Sequence, residues 1–143
     1  VNFNLVAALK SHQVDAVVGG YRNFEMNELA LDKQPGHAFF VEDNGIPKYA
    51  ELILVQQAGG AFGKTDRLPR LLDALREATA WLKAHPDQGW AIFAKAGKEL
   101  DSELNKLAWR DTVPLLADDP ARQDEAQSAA FHAFLKSRGL VKK

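Results

Sequence analysis

The residues best suited to bind a small molecule follow a short apolar run near the start of the chain. Gly19 and Gly20 lead into Tyr21, and Glu25 lies four residues later. The glycines let backbone approach a ligand, a tyrosine ring offers a flat face for stacking, and a carboxylate offers two acceptors in one plane. A flat ring that carries an amine beside a ring nitrogen could stack on the tyrosine, and one carboxylic group meets both nitrogens if a proton is shared. If residues 22–25 are helical, Tyr21 and Glu25 reach one spot from the same side.

The same segment also fits a purely structural role. Two glycines after a strand often form a simple turn, and Tyr21 can lie at the rim of a packed surface. Glu25 can be a solvated carboxylate in the first turn of a helix, where the helix dipole favours negative charge. Residue types and spacing alone leave both roles open.

The elements around this segment are those of a layered α/β protein. Residues 14–18 are mostly apolar and end at two glycines, which predicts a short buried strand. Helices are predicted before and after it, at residues 4–12 and 23–31, and further strands at residues 38–41 and 51–56. In open α/β sheets, ligands bind just beyond the carboxyl ends of the strands, which is where residues 19–25 would lie.

The second half of the chain is predicted to be helical. From residue 66 to residue 85, leucine and other apolar residues recur at the spacing of one helix face, and Pro86 is expected to stop this helix. Further helices are predicted at residues 87–96, 101–116 and 120–138, the last followed by Gly139. Aromatic residues on these helices are predicted to serve packing: Trp81, Trp90, Phe93, Trp109, Phe131 and Phe134.

Composition excludes several classes of function. The chain has 143 residues, with 18 Lys and Arg against 19 Asp and Glu and no cysteine. The near-neutral charge argues against a nucleic-acid partner, and no apolar run approaches the length of a membrane span, so no direct membrane insertion is expected. The four histidines lack the spacing of a metal site, and no nucleophile, base and orienting group form a triad. We therefore expect no metal, no cofactor and no catalysis.

Three short strands in the first 57 residues are too few for an ordinary sheet, which has about five or six strands. The chain also begins at Val1 and runs at once into patterned sequence. We therefore expect the remaining strands to lie upstream, on an N-terminal half that the chain lacks.

One stretch favours a different function. Residues 58–65 read AGGAFGKT, which differs from the phosphate-binding pattern GxxxxGK[ST] only in having Ala58 for the first glycine. In a nucleotide-binding enzyme, Lys64 would hold the β- and γ-phosphates and Thr65 the magnesium ion. Such an enzyme also needs a downstream apolar strand that ends in Asp, whereas the residues after Thr65 are predicted to be helical. The structural alternative is a glycine loop between a strand and a helix.

Three segments resemble the NMT1/THI5-like family, and most closely its ThiY-type members, which bind hydroxymethylpyrimidine or formylaminopyrimidine. They read LKSHQVDAVVGGYRNFE from residue 9, PGHAFF from residue 35 and GIPKYAELI from residue 45. The later WRDT run at residues 109–112 fits as well. The first part of the first segment is shared with sulfonate- and taurine-binding relatives, whereas GGYRNFE is the more specific part.

This resemblance implies a solute-binding protein of a bacterial ABC importer, periplasmic or otherwise extracytoplasmic, with a transporter permease as its partner. The implied fold is the C-terminal part of a two-lobed, type II periplasmic-binding-protein-like fold of the α/β class. Residues 1–20 would end the second lobe, residues 21–50 would cross back to the first, and residues 51–143 would supply its last strand and C-terminal helices. The cleft between such lobes closes around the ligand.

The resemblance also implies the ligand contacts. Tyr21 and Glu25 would contact the pyrimidine, Asn23 and the two glycines would line the site, and Tyr49 would lie near a crossover between the lobes. Aromatic residues for the other ring face would come from the missing half. Eukaryotic members of the family make the pyrimidine with a cysteine-rich motif, and a chain without cysteine departs from them. The alternative within the superfamily is a sulfonate-, taurine- or nitrate-binding protein.

Overall fold

A computed structural model describes residues 4–60, 65–122 and 124–141. The α-helices in these ranges are α1 (Leu5–Lys10), α2 (Glu25–Leu31), α3 (Arg67–Ala84), α4 (Pro86–Lys95), α5 (Glu103–Thr112) and α6 (Glu125–Ser137). Short 3-10 helices cover Val41–Asn44 and Val113–Leu115. The predicted helix-rich second half is therefore confirmed. Among the described residues, no helix is both long and apolar enough to cross a membrane.

Local signals explain where most of the helices begin. The side chains of Asn4, Ser102 and Asp124 each accept a backbone N–H three residues further on, at the starts of α1, α5 and α6. Pro86 is the first residue of α4, where its missing N–H costs nothing. Proline disfavours helical backbone at the residue before it, and α3 accordingly ends at Ala84, before the non-helical His85. α2 begins two residues later than predicted, at Glu25.

The three predicted strands are absent from the described residues, and the α/β class is not confirmed there. Val18 is 96% exposed. The stretch at residues 51–56 is interrupted by Leu52, whose φ of 57° lies in the left-handed region, and a 3-10 helix begins at Val41. A strand forms only when a neighbouring strand satisfies its backbone hydrogen bonds, and the residues that the structure describes contain no strand.

The chain divides into two compact units. The first contains Val1–Ala38 and Ala78–Asp118, and the second contains Phe39–Glu77 and Asp119–Lys143. The apolar residues that are buried, among those described, all belong to the first unit: Val6, Ala8, Leu29 and Val113. The first unit therefore has a small core to which α1, α2 and the 3-10 helix after α5 contribute, whereas every described residue of the second unit keeps contact with solvent.

Candidate functional site

The predicted site segment forms a closed turn immediately before α2. The carbonyl oxygen of Tyr21 accepts the backbone N–H groups of Phe24 and Glu25, both at 3.0 Å. In return, the backbone N–H of Tyr21 donates to Glu25 Oε2 at 2.6 Å. The structure therefore brings Tyr21 and Glu25 together, as their spacing predicts, although residues 22–24 form a turn and the α-helix starts only at Glu25.

The turn presents a ring and a carboxylate oxygen. Tyr21 is 47% exposed as a whole residue. Glu25 Oε2 is occupied by the Tyr21 N–H, while Oε1 accepts no hydrogen bond from the described residues. A flat face for stacking and an oriented acceptor therefore lie within the same five-residue turn, which is the pair of groups that a flat heteroaromatic amine requires.

The two glycines play different roles in the backbone. Gly19 has a φ of 94°, a conformation that residues with a Cβ rarely adopt, so this position favours glycine for the turn itself. At Gly20 a Cβ would meet its nearest neighbour, Glu25 Cβ, at 3.9 Å, which is ordinary contact. Glycine is therefore not needed for packing at position 20, and the open space over Gly19 leaves the backbone approachable there.

Asn23 does not simply line the turn, because its side chain is committed to α5. Asn23 Nδ2 donates to Thr112 Oγ1 at 2.6 Å, across 89 positions in the sequence. One helical turn further along, Asn27 Nδ2 donates to Asp111 Oδ2 at 2.8 Å. Sequence reasoning noted residues 109–112 only as part of a family resemblance and did not predict that these side chains meet α2.

The charge of Asp111 is held in place by two neighbours. Arg110 Nε donates to Asp111 Oδ1 at 2.8 Å, while Asn27 donates to the other oxygen. The hydrogen bond from Arg110, followed by the one from Asn27, holds the pKa of the Asp111 carboxyl below its ordinary value of 3.8. Both carboxylate oxygens are therefore engaged at neutral pH.

Tyr49, the remaining predicted ligand residue, belongs to the second unit. Its ring stacks on Phe131 of α6, with the ring centroids 4.8 Å apart and the planes inclined by 23°. Tyr49 is 40% exposed. One face of the Tyr49 ring therefore packs within the second unit, and Phe131 serves packing as predicted. A ligand contact by Tyr49 stays a prediction.

The described residues give little support to the nucleotide-binding alternative. Residues 61–64 of the glycine- and lysine-containing stretch lie outside the described residues. Beyond it, residues 65–122 and 124–141 form helices and turns, without the strand that would carry a magnesium-binding Asp. Within the described ranges, no group of His, Asp and Glu side chains could hold a metal ion.

A cleft of about 710 Å³ lies between α4 and α5 in the first unit. Its apolar wall includes Trp90, Leu107 and Trp109, and the rings of Trp90 and Trp109 meet edge to face at 6.1 Å. Trp109 Nε1 donates to the carbonyl of Pro86 at 3.0 Å. The tryptophans therefore pack the two helices together, as predicted, and none of the predicted ligand residues lines this cleft.

Comparison with known proteins places these features in a family. The family model described as NMT1/THI5 like matches residues 1–89. A putative thiamine biosynthesis protein of Haemophilus influenzae is 44% identical over 144 residues, which cover 100% of this chain and 45% of that protein. A formylaminopyrimidine-binding protein of Halalkalibacterium halodurans is 33% identical over 118 residues, which cover 82% of this chain and 36% of that protein. No solved structure matches the chain.

The chain thus spans less than half the length of these two relatives. The matched residues 1–89 contain the whole Tyr21–Glu25 turn and Tyr49, whereas α5 lies beyond them. The family resemblance that the sequence motifs indicate is confirmed, since the family model covers more than half of the 143 residues: the chain belongs to the NMT1/THI5-like family.

Proposed function

We propose that the protein carrying this chain is a solute-binding protein that captures a thiamine-precursor aminopyrimidine for an ABC importer. The observation that carries the proposal is the Tyr21–Glu25 turn, which combines a half-exposed ring with an oriented carboxylate. The formylaminopyrimidine-binding protein of Halalkalibacterium halodurans supports the ligand class. Hydroxymethylpyrimidine and formylaminopyrimidine are the two candidate ligands.

Each group of the turn has a defined role in this proposal. The pyrimidine ring stacks on Tyr21, and Glu25 Oε1 accepts the exocyclic amine. The hydrogen bond from the Tyr21 N–H to Oε2 fixes the plane of the carboxylate before the ligand arrives, so less ordering is needed on binding. Gly19 and Gly20 allow the ligand close to the backbone, and a ligand contact by Tyr49 is kept as the family resemblance implies it. No chemical step is required, so the protein is a carrier and not an enzyme.

The wider arrangement follows the family, whose fold is periplasmic-binding-protein-like. In the proposal, residues 1–20 end one lobe, residues 21–50 cross over, and residues 51–143 complete the other lobe. The ligand is held between the lobes and presented to a membrane permease outside the cytoplasm. The turn supplies one wall of the site, and the rest of the protein supplies the opposite wall.

The proposal is tested by calorimetric titration of the whole protein with hydroxymethylpyrimidine and with formylaminopyrimidine. Glu25→Gln replaces the acceptor oxygen pair by an amide, so a charge-assisted hydrogen bond to the ligand is lost and affinity falls at least about tenfold. Glu28→Gln is the matched control, because it makes the same charge change in the first turns of the same helix. The affinity of the Glu28→Gln protein for the pyrimidines should stay within about twofold of that of the original protein.

Other ligands separate the alternatives. If neither pyrimidine binds while taurine or another sulfonate does, the protein is a sulfonate-type binding protein of the same superfamily. A rise in melting temperature with magnesium-ATP but not with pyrimidine would favour the nucleotide-binding enzyme instead. Equal affinities of the original protein and Glu25→Gln for the pyrimidine would remove Glu25 from the site.

A further inference from the structure

The contact between α2 and α5 ties the candidate site to a part of the chain that is distant in sequence. Asn27 Nδ2 donates both to the backbone carbonyl of Asn23, at 2.9 Å, and to Asp111 Oδ2, at 2.8 Å. The amide of Asn27 therefore bridges the carboxylate of Asp111 to the backbone of the Tyr21–Glu25 turn. These bonds are partly shielded from water, which makes them stronger than the same bonds on an open surface.

A second bridge joins the side chain of Asn23 to Thr112, the residue that follows Asp111 in α5. Thr112 Oγ1 donates its proton to the carbonyl of Ala108, at 2.6 Å, and so turns a lone pair outward. Asn23 Nδ2 donates to that oxygen at 2.6 Å. Because the hydroxyl has a single proton and its direction is set by Ala108, the hydroxyl can only accept from Asn23. The side chain of Asn23 is thereby fixed relative to α5.

The far end of the first bridge is also anchored. Asp111 Oδ1 accepts from Arg110 Nε at 2.8 Å, so the carboxylate cannot rotate away from Asn27 without breaking a charge-assisted bond. Neither Asp111 nor Thr112 belongs to the turn, and both lie outside the residues that match the family model. They are nevertheless the side chains of α5 that hold the turn in place.

We propose that Asp111 and Thr112 are positioning residues of the pyrimidine site: together they hold the Tyr21–Glu25 turn in its binding-competent conformation before the ligand arrives. This inference rests on the function proposed above. Neither side chain touches the ligand. They act by raising the fraction of free protein whose turn is correctly formed, and the apparent affinity is proportional to that fraction.

This role predicts a particular kinetic signature. When a residue contacts the ligand, its loss mainly increases the dissociation rate. When a residue stabilises the competent free state, its loss lowers the association rate, and the dissociation rate from the assembled complex is unchanged. Asp111→Ala and Thr112→Val each remove one bridge, worth a single partly buried hydrogen bond, so each should slow association by a factor of up to about five.

The experiment is stopped-flow binding of hydroxymethylpyrimidine and formylaminopyrimidine to the whole protein and its variants, together with hydrogen exchange of the amides of residues 22–25 in the free protein. Asn105→Ala is the matched control: it removes an amide that bonds to the carbonyl of Leu100 at the other end of α5. Thr112→Ser keeps the hydroxyl and should restore fast association. Where Asp111→Ala does not fold, Asn27→Ala breaks the same bridge from the α2 side.

Slower association, unchanged dissociation and faster amide exchange in Asp111→Ala and Thr112→Val, with Asn105→Ala unchanged, support the positioning role. Unchanged association, a faster dissociation, or the same slowing in Asn105→Ala overturns it, even though the original protein binds the ligand and the proposed function stands. If the original protein binds neither pyrimidine, the proposed function itself fails and the positioning role falls with it.

Discussion

Tyr21 contributes a ring and a hydroxyl group, and the proposed site uses only the ring. The hydroxyl makes no hydrogen bond within the described residues, while the residue as a whole is 47% exposed. Stacking of a base on an aromatic ring contributes about 1–3 kcal/mol, so Tyr21→Ala should weaken pyrimidine binding about tenfold or more. Tyr21→Phe keeps the ring and should bind within about twofold of the original protein. Calorimetric affinities of both variants test this, and an equal loss in Tyr21→Phe would assign the binding to the hydroxyl.

Asp111 makes the stability of the protein depend on acid pH. Its folded pKa is lowered, chiefly by the hydrogen bond from Arg110 and then by that from Asn27. The carboxylate therefore stabilises the fold at pH values above the ordinary 3.8, and this contribution is lost as the pH falls through the lower folded pKa. The melting temperature of Asp111→Asn should be below that of the original protein at pH 7, and the difference should vanish at the acid end.

A control is needed because every acidic side chain is protonated at low pH. Asp101→Asn changes an exposed aspartate between α4 and α5 and should leave the melting temperature nearly unchanged at both ends of the pH range. A difference between Asp111→Asn and the original protein that persists undiminished in acid would show that shape, and not charge, accounts for the effect.

Single residues also show how far the site could be predicted from the sequence. Tyr21 and Glu25 are neighbours along the chain, so their spacing was sufficient to predict that they meet. The partner of Asn23 is 89 positions away, and nothing in residue spacing indicates a contact over that distance. The types of Asp111 and Thr112 are compatible with capping, solvent exposure or a helix contact, so only the packing of α2 against α5 identifies their role.

Gly89 in α4 tests how side-chain packing competes with the intrinsic helix preference of alanine over glycine. A Cβ at Gly89 would meet Trp109 Cζ2 at 2.9 Å and Leu82 Cδ2 at 2.5 Å, and the Trp109 ring is held by its bond to Pro86. Overpacking costs about 1–3 kcal/mol, which exceeds the gain of about 1 kcal/mol from replacing a helical glycine by alanine. Gly89→Ala should therefore lower the free energy of unfolding by about 1 kcal/mol.

The reverse change on the exposed side of the same helix provides the comparison. Ala91→Gly alters an exposed position of α4, where no packing opposes the helix preference, and should cost about 1 kcal/mol. Urea unfolding of the two variants measures both effects. A Gly89→Ala protein more stable than the original would show that Leu82 and the Trp109 ring can move aside.

At the level of elements, helices were predictable and strands were not. Leucines at helical spacing and a following proline were enough to predict α3, because a helix satisfies its hydrogen bonds within its own segment. A strand instead needs a partner elsewhere in the chain, so residues 14–18 and 51–56 have the composition of strands without forming them in the described chain. The α2 start was displaced because Tyr21–Phe24 use their backbone groups in the turn.

At the scale of the whole molecule, the informative feature is where the buried apolar residues lie. Val6, Ala8, Leu29 and Val113 are buried in the first unit, whereas several other large apolar side chains, such as Val18, Leu52 and Val55, are more than 80% exposed. An ordinary chain of this length buries a single sizeable core. The fold class and the lobe boundaries therefore depend on other segments that cover these exposed side chains. The pattern of residues in this chain does not specify those segments.

The longest run of consecutive exposed apolar side chains among the described residues leads to a prediction about how this chain behaves. Leu52, Ile53, Leu54 and Val55 are 87%, 65%, 61% and 83% exposed, and lie one after another. Contiguous exposed apolar and β-branched residues with unpaired backbone groups favour association between chains. The 143-residue chain, prepared by itself, should therefore aggregate through this segment, and Ile53→Lys should reduce the aggregation by placing a charge in its middle.

Ile92 supplies the matched comparison, because it is also 65% exposed but lies within helix α4. The helix already satisfies its own backbone hydrogen bonds there, so exposure of one apolar side chain does not offer an edge for pairing. Static light scattering at a series of protein concentrations should show less association for Ile53→Lys and no change for Ile92→Lys. The same reduction in both variants would mean that association follows total exposed apolar surface, and the strand-like segment would then have no special part in it.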